Sequence, residues 1–186
     1  MFLFEGKTRR RTVDMPDVDG FDAFYRGTAQ RLVRYAYGLI GDAAEAQDLT
    51  QEAYARAWQR WGRLRTYDEP EAWLRVVVTR LATDRWRRLV VRGAFSRMQP
   101  PAEPAPPPSE DTVILVRALR ALPLVQRRAL VLRYLLDRSV TNIADEMDTN
   151  VNTVKSWLSR GRAGLAAVLG QESENAHAHR GGTDGN

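Results

Sequence analysis

Apolar positions recur every three or four residues along most of this chain, the period of an amphipathic helix, and no segment alternates as a half-buried strand would. Phe21, Phe24, Tyr25, Thr28, Leu32, Ala36 and Leu39 keep that step, which predicts a first helix over 21–40 ended by Gly41. Asp42 followed by Glu45 is a capping-box pattern. The helix it opens is expected to run to about Trp61 and to bury Ala46, Leu49, Ala53, Ala57, Trp58 and Trp61. Proline is tolerated in a first helical turn, where its missing amide hydrogen would have no partner. A third helix is therefore expected from about Pro70, capped by Asp68 or Glu69, through Arg88, with Trp73, Val77 and Leu81 inward.

Between Ser139 and Arg162 the same period reads as two short helices about a tight corner. Ser139 can cap a turn whose Ile143, Ala144 and Met147 share one apolar face. Asp148-Thr149-Asn150 breaks it, and Asp and Asn take left-handed backbone angles more readily than other residues that carry a Cβ. Val151, Val154 and Leu158 then resume the apolar stripe, which leaves Asn152, Lys155, Ser156, Ser159 and Arg160 facing outward. Polar and basic residues so placed suit a recognition helix entering a major groove. The alternative is a capped helix pair with a solvated outer face and no nucleic-acid role. Trp157 fits better as packing at the edge of the core than as a base contact.

Six of the nine prolines lie between Gln99 and Glu110, where they forbid helix and favour an extended path, so two helical domains are expected on either side. At about 3.1 Å per residue, a dozen such residues reach roughly 35–40 Å, comparable to one turn of duplex DNA. A flexible tether is the other reading of the same composition.

The chain has 186 residues, 44% hydrophobic, with a net charge of +5, enough apolar content for two small cores and a balance that favours a polyanionic partner. Lysine occurs only at Lys7 and Lys155, and so heavy an arginine bias also follows from a GC-rich genome. Without cysteine the chain has no disulfide and no thiolate ligand or nucleophile. His177 and His179 stand alone near the C-terminus, so neither a metal nor another cofactor is expected, and the missing Gly-rich phosphate loop argues further against an enzyme. No apolar run approaches a membrane span, and a cytoplasmic protein without membrane insertion is expected. Residues before Met15 include the run Arg9-Arg10-Arg11 and lack a helical period, and Met15 is itself a candidate translation start.

Two surfaces of the N-terminal half contrast. Asp48, Gln51 and Glu52, within DLTQE, would repel phosphates and suit a basic or polar protein surface, or simply face solvent. Arg75, Arg80, Arg85, Arg87, Arg88 and Arg92 form the opposite surface, with Trp73 and Trp86 as planes for unpaired bases. This tract is either a nucleic-acid surface or a solvated face.

These features together resemble the extracytoplasmic-function class of bacterial RNA polymerase sigma factors over about Phe21–Leu169. The resemblance rests on DLTQEAYARAWQRW, EAWLRVVVTRLATDRWRR, ALRALPLVQRRALVLRYL and NTVKSWLSRGRAGL, in that order and across the Pro-rich segment. It implies an all-α protein of two small helical domains. Residues 1–20 would be a flexible extension, 21–97 sigma region 2, 98–112 the linker, 113–169 the region 4 helix-turn-helix and 170–186 a disordered tail.

What the resemblance implies for function is specific. Asp48, Gln51 and Glu52 match positions that contact the β′ coiled coil of core RNA polymerase. The segment 63–69, with Arg65 and Tyr67, matches the loop that captures a flipped base of the −10 element, and Arg80, Asp84, Arg87 and Arg88 match the helix on the opening strands. In region 4, which rests on the polymerase β flap, Asn152, Thr153, Lys155, Ser156, Ser159, Arg160 and Arg162 match the surface that reads the −35 element. Promoter DNA, core polymerase and an anti-sigma factor are the partners implied. The chain departs from the family's usual Asn at Arg80, Glu at Asn142, Leu-Gly at Met147-Asp148 and Arg at Trp157. The competing function, a two-domain helix-turn-helix regulator that binds duplex DNA without polymerase, calls for a ligand or receiver domain of α/β type, and the helical N-terminal half has no strand pattern for one.

Overall fold

A computed structural model describes residues 17–91 and 109–180, and all regular elements among them are helical. The expectations for the first sixteen residues, for Arg92 and for most of the Pro-rich segment lie outside the described residues.

The N-terminal unit begins with α1 (Val18–Ile40), three residues earlier than the apolar period suggests, because the Asp17 carboxylate accepts the Gly20 amide at 3.0 Å. Gly41 closes it at φ +78°, a left-handed angle that glycine adopts without a Cβ penalty, and donates its amide to the Tyr37 carbonyl at 2.7 Å. Asp42 then caps α2 (Ala43–Gln59) by accepting the Glu45 amide at 2.8 Å. This second helix stops before Trp61: Arg60 leaves helical angles, and a single turn, α3 (Trp61–Leu64), follows. The break turns the Trp61 ring inward against Phe21 and Phe24, at centroid distances of 5.3 and 5.1 Å. Trp58, expected inside, is 37% exposed and meets Phe21 at its edge, because Tyr54 fills the place on the buried stripe one turn earlier. Tyr25 is likewise exposed and leans on Tyr54.

The fourth helix, α4 (Pro70–Val91), lies across α1 and α2. Leu74, Val77, Val78 and Leu81 point into the core, where they meet Leu32, Tyr35, Leu39, Leu49 and Ala53. Each fully buried aliphatic side chain contributes about 1.5–3 kcal/mol, so this stripe is what holds α4 down.

The C-terminal unit starts at α5 (Glu110–Arg120), where Ser109 accepts the Thr112 amide at 3.3 Å. Next come α6 (Leu124–Leu130), a π-helical turn (Val131–Leu135), α7 (Val140–Glu146) and α8 (Val151–Arg180). The last helix runs ten residues beyond Gly170, where an irregular tail is expected from composition. Glycine at 170 lowers helix propensity without stopping a helix that α5 and α6 already anchor, and no proline follows it.

The two units touch. One continuous cluster of buried residues runs from Leu32 and Tyr35 of α1 into Leu119, Leu130, Val131 and Ile143 of the C-terminal half.

Candidate nucleic-acid interface

Local capping sets the geometry of the helix pair in the C-terminal unit. Ser139 Oγ accepts the Asn142 amide at 3.0 Å and starts α7. The corner is made by Asp148 at φ +50°, and the Thr149 amide donates to the Ala144 carbonyl at 2.9 Å. Asn150 Oδ1 accepts the Thr153 amide at 2.8 Å, so the corner's last residue is also the N-cap of α8. Sequence reasoning takes Asn150 only as a helix breaker, although an Asn one residue ahead of a renewed apolar stripe is a cap pattern.

Val154 and Leu158 anchor the first two turns of α8 in the core. Asn152, Lys155, Ser159, Arg160 and Arg162 are exposed along the outside of the helix, while Thr153 and Ser156 are half-buried at its margins. Trp157 is half-buried and packs against the core cluster, as its size suggests.

In the N-terminal unit, the turns after α3 shape a second feature. The Tyr67 amide donates to the Leu64 carbonyl at 3.1 Å and Thr66 Oγ1 to the Arg63 carbonyl at 2.8 Å, which folds 63–69 back on itself. The result is an open hollow of about 540 Å³, lined by Arg60, Arg63, Leu64, Tyr67 and Trp73 among others. Arg65 sits outside this lining, at 3.6 Å from Asp17 across the start of α1.

The arginine tract of α4 does not form one surface. Arg80, Asp84 and Arg87 are exposed, and Arg85 is held to Glu45 at 3.1 Å. Arg75 is only 2% exposed and donates through Nε and Nη2 to Glu146 at 2.6–3.1 Å, so it is removed from any DNA-facing role. Burial works against its charge, and the Glu146 and Glu71 carboxylates more than restore it, holding the guanidinium above its ordinary value. The side chains of Trp86 and Arg88 lie outside the described set.

Asp48, Gln51 and Glu52 project from α2 on the side away from its buried stripe, with Glu52 paired to Arg56 at 2.8 Å. The structure adds a surface that the sequence reading missed: Leu124, Val125, Tyr134 and Leu135 are exposed around α6 and the π-helical turn, Tyr134 to 58%. Leu124 and Val125 open α6, whereas Tyr134 and Leu135 fall in the π turn, which shifts the register that an α-helix would have continued.

Among the described residues, no helix is long and apolar enough to cross a membrane, and no group of three or more His, Cys, Asp or Glu is placed to hold a metal ion.

Comparison with known proteins gives a consistent match. Residues 24–90 match the family model described as Sigma-70 region 2, and residues 112–165 that described as Sigma-70, region 4. The chain is 31% identical over 166 residues to the RNA polymerase sigma-E factor of Streptomyces coelicolor, covering 88% of this chain and 94% of that protein. It is 29% identical over 173 residues to the ECF RNA polymerase sigma factor SigK of Mycobacterium sp. (strain KMS), covering 86% and 88%. Among solved structures, the sigma factor RpoE of Bartonella quintana, in complex with the anti-sigma factor NepR, has a similar fold. The TM-score is 0.63 at 24% identity, over 80% of this chain and 97% of that one.

Proposed function

The chain belongs to the extracytoplasmic-function class of sigma-70 RNA polymerase sigma factors, and from that membership we propose that it docks on core polymerase through α2 and selects promoters with two separate DNA-reading surfaces. The observation that carries this reading is the coexistence of three exposed sets on one chain: the acidic face of α2, the hollow after α3 and the polar outer face of α8.

Asp48, Gln51 and Glu52 meet the basic β′ coiled coil, where complementary charge speeds encounter and fixes orientation. The hollow takes one unstacked base of the −10 element. Its size falls in the range of about 300–1,000 Å³ typical of small-ligand clefts, with Tyr67 and Trp73 as ring faces and Arg60 and Arg63 as donors. Arg65 stands beside it toward the strand's backbone. Extruding a base costs a few kcal/mol, and stacking worth about 1–3 kcal/mol per base offsets that cost. Arg80, Asp84, Arg87 and Arg88 follow the opened strand along α4.

The C-terminal unit rests on the β flap and places α8 in the −35 major groove. Asn152, Lys155, Ser156, Ser159 and Arg160 read base edges there, with Thr153 and Arg162 toward the phosphates. An anti-sigma factor that covers the polymerase-binding faces is the regulator this reading expects, and the cytoplasm, where polymerase works, is its site of action.

Transcription of a genomic fragment pool by purified core polymerase, with and without the protein, tests the proposal. Starts that appear only with the protein, sharing two upstream motifs at fixed spacing, are the expected result. No new starts, together with tight duplex binding by the protein alone, would replace this reading with that of a conventional helix-turn-helix regulator. Glu52→Lys is expected to weaken core binding while leaving duplex binding by the full chain unchanged.

A further inference from the structure

The hollow after α3 owes its wall to a break in the chain. Arg60 leaves helical angles at φ −119° and ψ 10°, and the single turn that follows sets Trp61 and Leu64 inward, 6% and 2% exposed. Residues three apart share one face of a helical turn, so Arg60 and Arg63 emerge together on the outer side, both exposed and both on the wall of the hollow. Tyr67 and Trp73 add ring surface beside them, and Gln59 adds an amide.

These two arginines differ from their neighbours in having nothing to neutralise them. Arg56 pairs with Glu52 at 2.8 Å, Arg65 with Asp17 at 3.6 Å and Arg85 with Glu45 at 3.1 Å, whereas the side chains of Arg60 and Arg63 have no partner among the described residues. No carboxylate lines the hollow either. Guanidinium and indole groups only donate, and a phenol does either, so Gln59 is the one amide oxygen in a side-chain lining made mostly of donors.

A wall of donors selects a base by its acceptors. Guanine carries O6 and N7 side by side on the edge away from the sugar, the pair that a guanidinium fork meets bidentately. Adenine sets an amine beside N7, which would face the arginines donor against donor and suits only Gln59. Thymine separates its two carbonyl oxygens with an N–H, and cytosine O2 lies next to the bond to the sugar. We propose that Arg60 and Arg63 make the hollow selective for guanine, reading O6 and N7 of an unpaired base whose ring lies on Tyr67 and Trp73. The proposal rests on the reading above that the hollow receives one unstacked base; it adds which base is accepted and which residues choose it. Arg65, turned to Asp17, takes no part in that choice.

Fluorescence anisotropy of labelled single-stranded oligothymidylates, each with one variable central base, tests this with the full-length protein. A central guanine is expected to bind roughly tenfold more tightly than adenine, cytosine or thymine, a discrimination in the range of one bidentate pair. Inosine, which keeps O6 and N7, should match guanine, whereas 7-deazaguanine, which lacks N7, should fall to the level of the other bases. Arg60→Ala and Arg63→Ala should each level the bases without moving the urea midpoint, while Arg65→Ala should keep the preference. Equal binding of the four bases, no binding, or a guanine preference that survives both arginine variants overturns the assignment. So does a preference for adenine, which would pass the choice to Gln59, and so does a loss on inosine, which would place the reading on the Watson–Crick edge. Equal binding in a protein that still directs transcription starts removes the base choice alone. A guanine preference that Arg63→Ala abolishes, in a protein that directs no starts, leaves the selectivity of the hollow standing and removes the promoter reading.

Discussion

The two sides of α4 carry the same residue type to opposite ends. On its inner edge Arg75 is enclosed by Glu146, Glu71 and Glu69; on its outer side Arg80 and Arg87 face solvent. In the sequence these arginines belong to one tract. What separates them is the company each keeps after folding: Arg75 points toward Glu146, 71 residues away, and becomes part of the structure. Arg80 and Arg87 stay available to a partner from outside. A run of like charges is thus not a unit of function until the neighbours of each member are known.

Mutation can break that contrast at its strongest point. Arg75→Met alone leaves Glu146 buried with only the more distant Arg128, at 3.5 Å, as a partner, so the loss should approach the lower end of the about 3–5 kcal/mol that breaking a buried pair costs. Urea denaturation should show a loss of this order or a transition split in two as the units part. The double variant Arg75→Met, Glu146→Leu should recover most of the loss, and a double variant no better than the single would mean that Arg75 acts through its other carboxylates. A smaller effect is expected from Lys155, one of the exposed cations of α8. Lys155→Ala should cost about 1–3 kcal/mol in binding at one −35 base position while leaving the denaturation midpoint where it was, as duplex titrations with single-base changes would show.

The exposed arginines of α4 sharpen the comparison further. Arg87→Ala should change stability by no more than about 0.5 kcal/mol and reduce the slope of log binding constant against log salt by about one. A slope that does not change would take Arg87 out of the DNA-facing set. The smallest effect is with pH. The hydrogen bond from Arg138 holds the Glu69 carboxyl below its ordinary value of 4.5, so its share of the contact between the two units is complete above that pH and is lost only as acid protonates the folded form. The urea midpoint should therefore lose nothing through Glu69 from neutrality down to about that value, and fall only below it.

The local chemistry of this fold is legible in the sequence. Asp42, Ser139 and Gly41 announce helix ends because a cap depends on residues three or four positions away, and all three act as expected. The left-handed corner at Asp148 is readable for the same reason. Trp58 is harder, since its place at the rim of the buried stripe depends on how α1 and α4 share the other side of α2. The break at Arg60 depends on the aromatic rings that receive Trp61, and those come from α1. The roles of Arg75 and Arg127 are largely non-local: Glu71 lies one turn from Arg75, but the carboxylate nearest it, Glu146, is on the other side of the linker, and the partners found for Arg127 among the described residues are carbonyl oxygens. Burial and the nearby Arg120 push the Arg127 guanidinium down to about 10, so it remains charged at neutral pH, with no acidic partner among the described residues to advertise it. Of the candidate site, the polar face of α8 follows from helical spacing, whereas the hollow after α3 becomes visible only when the 63–69 turn is folded.

Gly38 of α1, where an added Cβ would stand 3.0 Å from Val131 Cγ2 of the C-terminal unit, has a consequence for how this protein varies over generations. Every codon change away from glycine adds a side chain, so at this position heredity offers steps in one direction only, toward a wider gap between the two units. Some of those steps are cheap for α1 itself, because alanine is about 0.5–1 kcal/mol better than glycine inside a helix. Lineages that need the two units in contact should therefore tolerate little beyond alanine at codon 38, because each larger side chain must be accommodated by Val131 and Leu135.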